Sequence, residues 1–287
     1  MKPFIEYFLL TALLVALAVA LFHQAGALGL TVDEPSHLFS ARLYWQGADR
    51  LQPRDMPPLI KIVGGWVPAL MQVPDMQTDP SWSQQHEWPI SSAMLRRMKG
   101  PDIQALVRAS RLPFIVFPLL TTALLWWWSR QLFSPSTALT LATIFAFEPT
   151  ALGHGALFKN DHAATFGYLI FWVLAWRYWL APSSGRAAAL GAGACVAMLA
   201  KLSMLIVPPL GLAILFLRRA PLKQLALFLG TLYLGAVAAC QFDPRLQLLW
   251  DGTAAILRST NSPNPVWLNG RVVEGGDRTY FLRALSY

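Results

Sequence analysis

Charge is scarce in this sequence. Charged residues make up 13% of the 287 residues and hydrophobic residues 55%, whereas an ordinary soluble domain has about 25% charged residues. A chain with so few charges cannot cover a water-facing surface, so its composition excludes an ordinary soluble domain. We expect helices that are surrounded mainly by lipid.

Cysteine is rare as well. Cys195 and Cys240 are the two cysteines, and each lies inside an apolar run. This placement is typical of small core side chains, not of a disulfide framework or a metal site. The net charge of +8 does not indicate nucleic acid. Its distribution indicates membrane topology and contact with anionic lipid headgroups.

A cleavage site of small residues is missing after the first apolar run, which predicts an uncleaved first span instead of a signal peptide. Crossing a hydrocarbon core of about 30 Å takes about 20 residues, or fewer within a bundle or a thin bilayer. The run at 187–217 is too long for one helix, so we expect a tight hairpin with Lys201 at its turn. Seven spans are predicted, at Phe4–Phe22, Leu112–Trp128, Thr137–Glu148, His162–Leu180, Ala187–Ala200, Leu202–Leu217 and Leu225–Gln241.

Acidic residues are nearly absent from the short loops, and basic residues of such loops are retained in the cytoplasm. In the seven-span prediction, the basic residues that fall on the same, cytoplasmic side are Lys2, Arg130, Arg177, Arg186, Arg218, Arg219 and Lys223. We therefore predict a multi-pass protein of the cell inner membrane, with a long first periplasmic loop at 23–111 that contains juxtamembrane helices. Acid–base chemistry is then expected on the periplasmic side, although short cytoplasmic loops also exclude acids by themselves.

The first dense group of ionisable residues follows the first span. Asp33 or Glu34 can cap a helix that runs toward Trp45. Pro35 then lies in the first turn, where a missing N–H costs nothing. Capping needs one acid, whereas this segment holds two acids and His37. A carboxylate here can accept a proton from a hydroxyl nucleophile that arrives from the aqueous side.

The second group is the turn from Arg54 to Lys61, where Pro57 and Pro58 restrict the backbone. Asp55 lies between the two cations. It can bind a metal ion or form part of a phosphate environment. It can equally belong to an ordinary interfacial turn with snorkelling cations.

The third group extends from Glu148 to His162 and includes His154 and Asp161. Ionisable residues at the mouth of a transmembrane helix are costly unless they are paired or hydrated. A helix cap is the simpler role for Asp161, and a functional acid is the alternative.

In their order along the chain, these features resemble the GT-C superfamily of glycosyltransferases, and within it the protein O-mannosyltransferases and the bacterial aminoarabinose transferases that modify lipid A. The resemblance covers nearly the whole chain. The residues that carry it are Asp33-Glu34-Pro35, Gly47-x-Asp49, the charged-x-Pro-Pro-Leu turn at 55–59, Asp161 at the start of a later span, and Lys201 between two short helices.

The resemblance implies a transferase that takes its sugar from a polyprenyl-phosphate donor. Asp33 matches the catalytic acid of the first outer loop, with Glu34 beside it. Asp161 matches the acid of the second loop. Asp55 stands where relatives place a Glu or His that is sometimes a metal ligand, and its shorter side chain is a departure from that pattern. His154 is the other candidate ligand for a divalent metal ion.

A phosphate leaving group needs charge stabilisation more than a general acid, so one carboxylate suffices, unlike in glycoside hydrolysis. We expect Asp33 to deprotonate the acceptor, which contributes roughly 10²–10⁴-fold to the rate. The candidates that stabilise the phosphate are Lys61, Lys201 and Arg258. The implied partners are the polyprenyl-phosphate-linked sugar, a protein, lipid or glycan acceptor, and membrane lipids.

The expected architecture is an all-α membrane fold, with a GT-C-like transmembrane region at 1–241 and a C-terminal periplasmic segment at 242–287 that has little regular structure. Relatives continue into further spans, so we expect a truncated product or the N-terminal part of a longer enzyme. Two other functions remain open: a non-catalytic or truncated paralogue that binds polyprenyl lipid, and a lipid-linked-sugar transporter. A transporter predicts internal repeats and ionisable groups near the bilayer midplane, and neither is found in the sequence.

Overall fold

The computed structural model describes residues 2–49, 56–84, 87–260, 266–268, 270–273 and 279, and this part of the chain is mostly helical. The α-helices are α1 Pro3–Ala27, α2 Glu34–Trp45, α3 Pro58–Gly64, α4 Trp66–Leu70, α5 Glu87–Arg96, α6 Gly100–Arg111, α7 Val116–Leu132, α8 Pro135–Phe147, α9 Pro149–Gly155, α10 Asp161–Leu180, α11 Ser184–Ala200, α12 Val207–Leu217, α13 Leu222–Ala239 and α14 Gln247–Thr260. Short 3₁₀ segments lie at Pro80–Gln84, Leu112–Ile115 and Leu202–Ile206. A small antiparallel hairpin of β1 (Val266–Leu268) and β2 (Arg271–Val273) follows the helices, and the described part of the chain is otherwise consistent with the expected all-α fold.

Three helical segments in the described part of the chain are long and apolar enough to cross a membrane: Pro3–Ala27, Gly100–Leu132 and Leu222–Ala239. Shorter apolar helices lie at Pro135–Phe147, Ser184–Ala200 and Leu202–Leu217. These segments identify an α-helical membrane protein. Each predicted span coincides with a helical segment, while the number of seven crossings stays a prediction.

Small residues allow α11 to pack closely between α10 and α13. A methyl group added at Gly191 would lie 2.3 Å from the Phe228 carbonyl oxygen of α13. A methyl group at Gly167 of α10 would lie 2.7 Å from the Cα of Ala197. Close backbone approach of this kind is how membrane helices associate. It fixes the start of α10 relative to the end of α11.

The chain leaves the helical conformation at Lys201, as predicted. The backbone there is extended, with φ −153° and ψ 134°, between α11 and the following 3₁₀ segment. Since α12 packs on both α11 and α10, α11 and α12 form the expected hairpin. Lys201 lies at its tip, next to the start of α10.

The two ends of the helical bundle differ in chemistry. At one end Glu6 of α1 pairs with Arg130 of α7, at 2.6 Å between Oε1 and Nε. At the same end Arg218 lies over the ring of Trp179, near the end of α10. Arg130 and Arg218, two basic residues of the short loops, thus lie at the same end, while the loop topology as a whole stays a prediction. The compartment that this end faces stays a prediction.

The expectation of little regular structure after residue 241 is wrong for the first part of that segment. Helix α14 buries Leu248 and Leu249 in a cluster with Ala236 and Tyr44, while Trp250 is exposed. Burial of apolar residues on one helical face outweighs the turn-forming residues that follow.

Candidate functional site

The two acids at the start of α2 lie in different environments. The side chain of Asp33 is 46% exposed, whereas that of Glu34 is fully buried. Asp33 occupies the N-cap position, but its side chain makes no capping hydrogen bond. Its carboxylate pairs instead with Lys159, at 2.9 Å between Oδ2 and Nζ. Capping therefore does not occupy the Asp33 carboxylate.

Glu34 is buried with a partner from α6. Its two carboxylate oxygens each accept a hydrogen bond of 2.7 Å from the guanidinium of Arg111. They also accept the backbone N–H groups of Thr31 (2.9 Å) and Phe158 (3.0 Å). Burial alone would raise the pKa of Glu34, but these hydrogen bonds outweigh it and hold the pKa below its ordinary value. Glu34 is therefore an ionised anchor inside the fold.

Arg111 extends this anchor to the end of α1. Besides Glu34, its guanidinium donates to three backbone carbonyl oxygens, those of Ala25, Leu28 and Gly29. The last turn of α1 and the segment before α2 are thus tied to α6. This contact fixes the backbone on which Asp33 stands.

Two side chains of α2 fix the segment before α10 through hydrogen bonds to the backbone N–H and carbonyl groups of Phe158. The Phe158 N–H donates to Glu34, and the Phe158 carbonyl accepts from Nδ1 of His37 at 3.0 Å. The buried Phe158 ring packs on Phe114, with 4.4 Å between centroids. The next residue, Lys159, is thereby placed beside Asp33.

Four charges alternate across this part of the surface, in the order Asp33, Lys159, Asp161 and Lys201. Nζ of Lys201 donates to Oδ1 of Asp161 at 2.9 Å. Burial raises the pKa of Asp161, but the hydrogen bond and charge of Lys201, with the charges of His154 and Lys159, lower it below its ordinary value. Asp161 is the first residue of α10. The four side chains are partly exposed, so an incoming ion can compete for them.

Lys61, which we expected near the phosphate, has a different partner. Its Nζ donates to Oδ2 of Asp49 at 2.8 Å, and both side chains are buried. A buried ammonium that already holds a carboxylate stabilises the connection between α2 and α3, because separating the pair would leave an uncompensated charge. The structure therefore does not bring Lys61 to the row of four charges.

The structure describes only some of the remaining residues that the sequence predicts for the site. Asp55 lies outside the described residues, and so does the side chain of Arg258, whose backbone belongs to α14. Among the described residues, no group of three His, Cys, Asp or Glu side chains is arranged to hold a metal ion. A metal role for Asp55 or His154 stays a prediction.

An apolar groove begins at the Asp161–Lys201 pair and follows one face of α10. Its first part has a volume of about 600 Å³ and passes Tyr168 and Trp172. A second part of about 410 Å³ shares Trp172 and Trp128 with the first and continues to Trp179. Residues 161 to 179 of a helix span about 27 Å, close to the thickness of a hydrocarbon core.

A second cavity, of about 340 Å³, adjoins Asp161, and we call it the polar cavity because six of its eight lining residues have polar side chains. It shares Phe145, Asp161 and Thr165 with the apolar groove. Its further polar lining comes from Glu148, Thr150, His154 and His162. Asp161 thus stands where an apolar and a polar space meet.

Sequence reasoning overlooked two features of this site. Lys159 belongs to the third group of ionisable residues but is not among the cations expected at the phosphate, although the run Lys159-Asn160-Asp161 places opposite charges close together. The face of α10 that lines the groove also has a signal in the sequence. Thr165, Tyr168, Trp172, Trp176 and Trp179 follow each other at intervals of three and four, which is the spacing of one helical face.

The fold and the site define a membrane protein whose charged cluster opens onto an apolar groove of membrane length. The family model for dolichyl-phosphate-mannose-protein mannosyltransferases matches residues 104–242. This match supports a GT-C-type glycosyltransferase and confirms the resemblance found in the sequence. It includes Lys159, Asp161, Lys201 and the groove, while Asp33 and Glu34 precede it. No curated protein and no solved structure matches the chain.

Proposed function

We propose that this protein transfers a sugar from a polyprenyl-phosphate donor to an acceptor on the periplasmic side of the cell inner membrane, with Asp33 as general base. The groove along α10 is the observation that carries the proposal. It is apolar over the thickness of a membrane and begins at an ammonium group. Such a site suits a long hydrocarbon chain with an anionic headgroup.

Lys201 and Lys159 are the cations that hold the donor phosphate in this proposal. They flank Asp161, and both are accessible enough to change partners. A phosphate that enters here replaces the carboxylates as hydrogen-bond acceptor of the two ammonium groups. Asp33 then loses its ion-pair partner when the donor is bound, and its carboxylate becomes available to the acceptor.

The chemical step needs one base and a stabilised leaving group. A bond forms between the acceptor oxygen and the anomeric carbon while the bond from that carbon to the phosphate oxygen breaks. The acceptor proton passes to Asp33. The electron pair of the broken bond leaves with the phosphate, whose charge Lys159 and Lys201 stabilise. Glu34 has a positioning role, because Arg111 and two backbone N–H groups already occupy its carboxylate.

The proposal is tested with the whole chain in lipid nanodiscs and two measurements, binding of polyprenyl phosphate and transfer of radiolabelled sugar from a polyprenyl-phosphate sugar. We expect Lys201→Gln to weaken lipid binding about tenfold, the loss of one charge-assisted hydrogen bond. Lys223→Gln is the matched control, because Lys223 is exposed at the opposite end of the bundle. Specific binding without transfer to any acceptor would favour the non-catalytic alternative. Absence of binding would rule out the donor, and movement of intact donor across a bilayer would favour a transporter.

A further inference from the structure

We infer that the polar cavity beside Asp161 holds the sugar of the donor, as a single hydroxyl-rich monosaccharide. This inference rests on the proposed function, because it assigns the headgroup of the same lipid. It goes further in naming the residues that contact the sugar. The argument comes from position, chemistry and size.

The position of the cavity follows from the connectivity of the donor. Its sugar is bonded directly to the phosphate, and the phosphate is bonded to the hydrocarbon chain. A phosphate at Lys201 with the chain in the apolar groove leaves the sugar beside Asp161. The polar cavity adjoins the groove there, through Phe145, Asp161 and Thr165. The three parts of the donor thus meet three adjoining environments.

The lining of the cavity has the chemistry that binds sugar hydroxyl groups. Glu148 supplies a carboxylate, and Thr150, Thr165 and His154 supply groups that can donate or accept hydrogen bonds. Phe145 adds an aromatic ring beside them. A few polar groups that converge beside an apolar surface are typical of small-molecule sites.

Glu148 is held in place and keeps room for a ligand. Its carboxylate accepts the backbone N–H of Ala151 at 2.7 Å and hydrogen bonds from the backbone and side chain of Thr150. A carboxylate offers about four acceptor positions, so one remains for a sugar hydroxyl. The side chain of Glu148 is exposed and lines the cavity. Among the described residues, it forms no ion pair.

The volume limits the size of the ligand. Small-molecule pockets range from about 300 to 1,000 Å³, and the polar cavity has about 340 Å³. It lies at the lower end of that range. The cavity can therefore enclose a single sugar ring, whereas further sugar units would extend beyond it.

The test compares two lipids on the same variants of the whole chain in nanodiscs: polyprenyl phosphate and polyprenyl-phosphate mannose. The variants are Glu148→Gln, which keeps an acceptor for the Ala151 N–H, and Thr165→Val, which keeps the shape. Thr143→Val is the matched control. Thr143 makes the same hydrogen bond to the fourth preceding carbonyl as Thr165 does, but it is exposed on α8 outside both cavities.

We expect Glu148→Gln to bind the mannosyl lipid about tenfold more weakly and Thr165→Val several-fold more weakly. Binding of polyprenyl phosphate should stay within twofold for Glu148→Gln. Because Thr165 also lines the apolar groove, Thr165→Val is expected to weaken binding of the mannosyl lipid more than binding of polyprenyl phosphate, and Thr143→Val should change neither. Each variant is compared with the wild type for one lipid at a time, because the bare phosphate carries more charge than the sugar phosphodiester. Equal effects on the two lipids, or no effect on either, would overturn the inference. Failure of the proposed function looks different: the wild type would bind neither lipid if the donor is wrong, and would bind both lipids without sugar transfer if the protein is not catalytic.

Discussion

Two adjacent carboxylates at the start of a helix can have different roles when one faces the protein interior and the other faces water. Successive residues of a helix lie about 100° apart around its axis. Glu34 therefore turns inward to Arg111, while Asp33 stays half exposed beside Lys159. The inner acid holds the backbone, and the outer acid is free to exchange partners.

Asp33→Asn separates a catalytic role of Asp33 from a structural one. Asn keeps the size and hydrogen bonding but loses the basic electron pair, so we expect sugar transfer to fall roughly 10²-fold or more with donor binding nearly kept. The melting temperature should hardly change, because the Asp33 side chain makes no cap and an exposed ion pair contributes at most about 1 kcal/mol. Kinetics and thermal unfolding of the same preparation measure both. Transfer at the parental rate would remove Asp33 from the mechanism and leave Asp161 as the next candidate.

Glu34→Gln tests the buried anchor through the pH dependence of stability. The pKa of Glu34 is lowered in the folded state from an ordinary value of 4.5. Its contribution is therefore complete above that value and is lost as the pH falls through the folded-state pKa. We expect Glu34→Gln to lower the melting temperature at pH 7 and to narrow its difference from the wild type toward pH 4 and below. A difference that stays constant with pH would show that ionised Glu34 is not the source of the stability.

Among the structural elements, the segment between α9 and α10 determines where the cations lie. It is short, and its position depends on the two hydrogen bonds that α2 makes with Phe158. His37 and Phe158 are 121 residues apart in the sequence. Two side chains of α2, those of Glu34 and His37, therefore position Lys159 in a segment that is distant in the sequence.

His37→Ala should loosen this segment without changing any charge of the row. We expect faster hydrogen exchange of the amides at 157–160 and several-fold weaker binding of polyprenyl phosphate, because Lys159 is less well placed. His23→Ala is the control, since His23 is exposed on α1. Exchange and binding that match the wild type would show that the His37 hydrogen bond does not position Lys159.

The sequence predicted the helical segments better than it predicted which charged side chains pair with each other. The length of the apolar runs located the helical segments, and the break at Lys201 followed from a charge in an apolar run. The choice between Lys61 and Lys159 depended on which lysine faces inward. Lys61 is buried in an ion pair with Asp49, twelve residues before it. Residue type alone does not indicate such burial. The contact between Asp33 and Lys159 joins segments whose packing no local pattern describes.

At the scale of the whole molecule, the row of four charges and the basic short loops lie at opposite ends of the bundle, so labelling each end tests the predicted topology. Val32 is 75% exposed beside Asp33, and Gly185 has open space for a side chain at the opposite end. In a variant without native cysteines, we expect Val32→Cys to react with a membrane-impermeant maleimide in intact cells. Gly185→Cys should react only after permeabilisation. The reverse pattern would place the row of charges in the cytoplasm.

The groove along α10 also determines how substrate reaches the protein. Tyr168 and Trp179 on its wall are 43% and 44% exposed on the side of the bundle, so a long hydrocarbon chain can enter by sideways diffusion in two dimensions. The encounter rate is then set by the mole fraction of donor among the surrounding lipids, and the volume of the aqueous phase has no influence on it. With donor below saturation, adding inert phospholipid to vesicles that hold fixed amounts of protein and donor should slow transfer in proportion. Diluting the same vesicles in buffer that keeps the acceptor at the same concentration should leave the rate per protein unchanged.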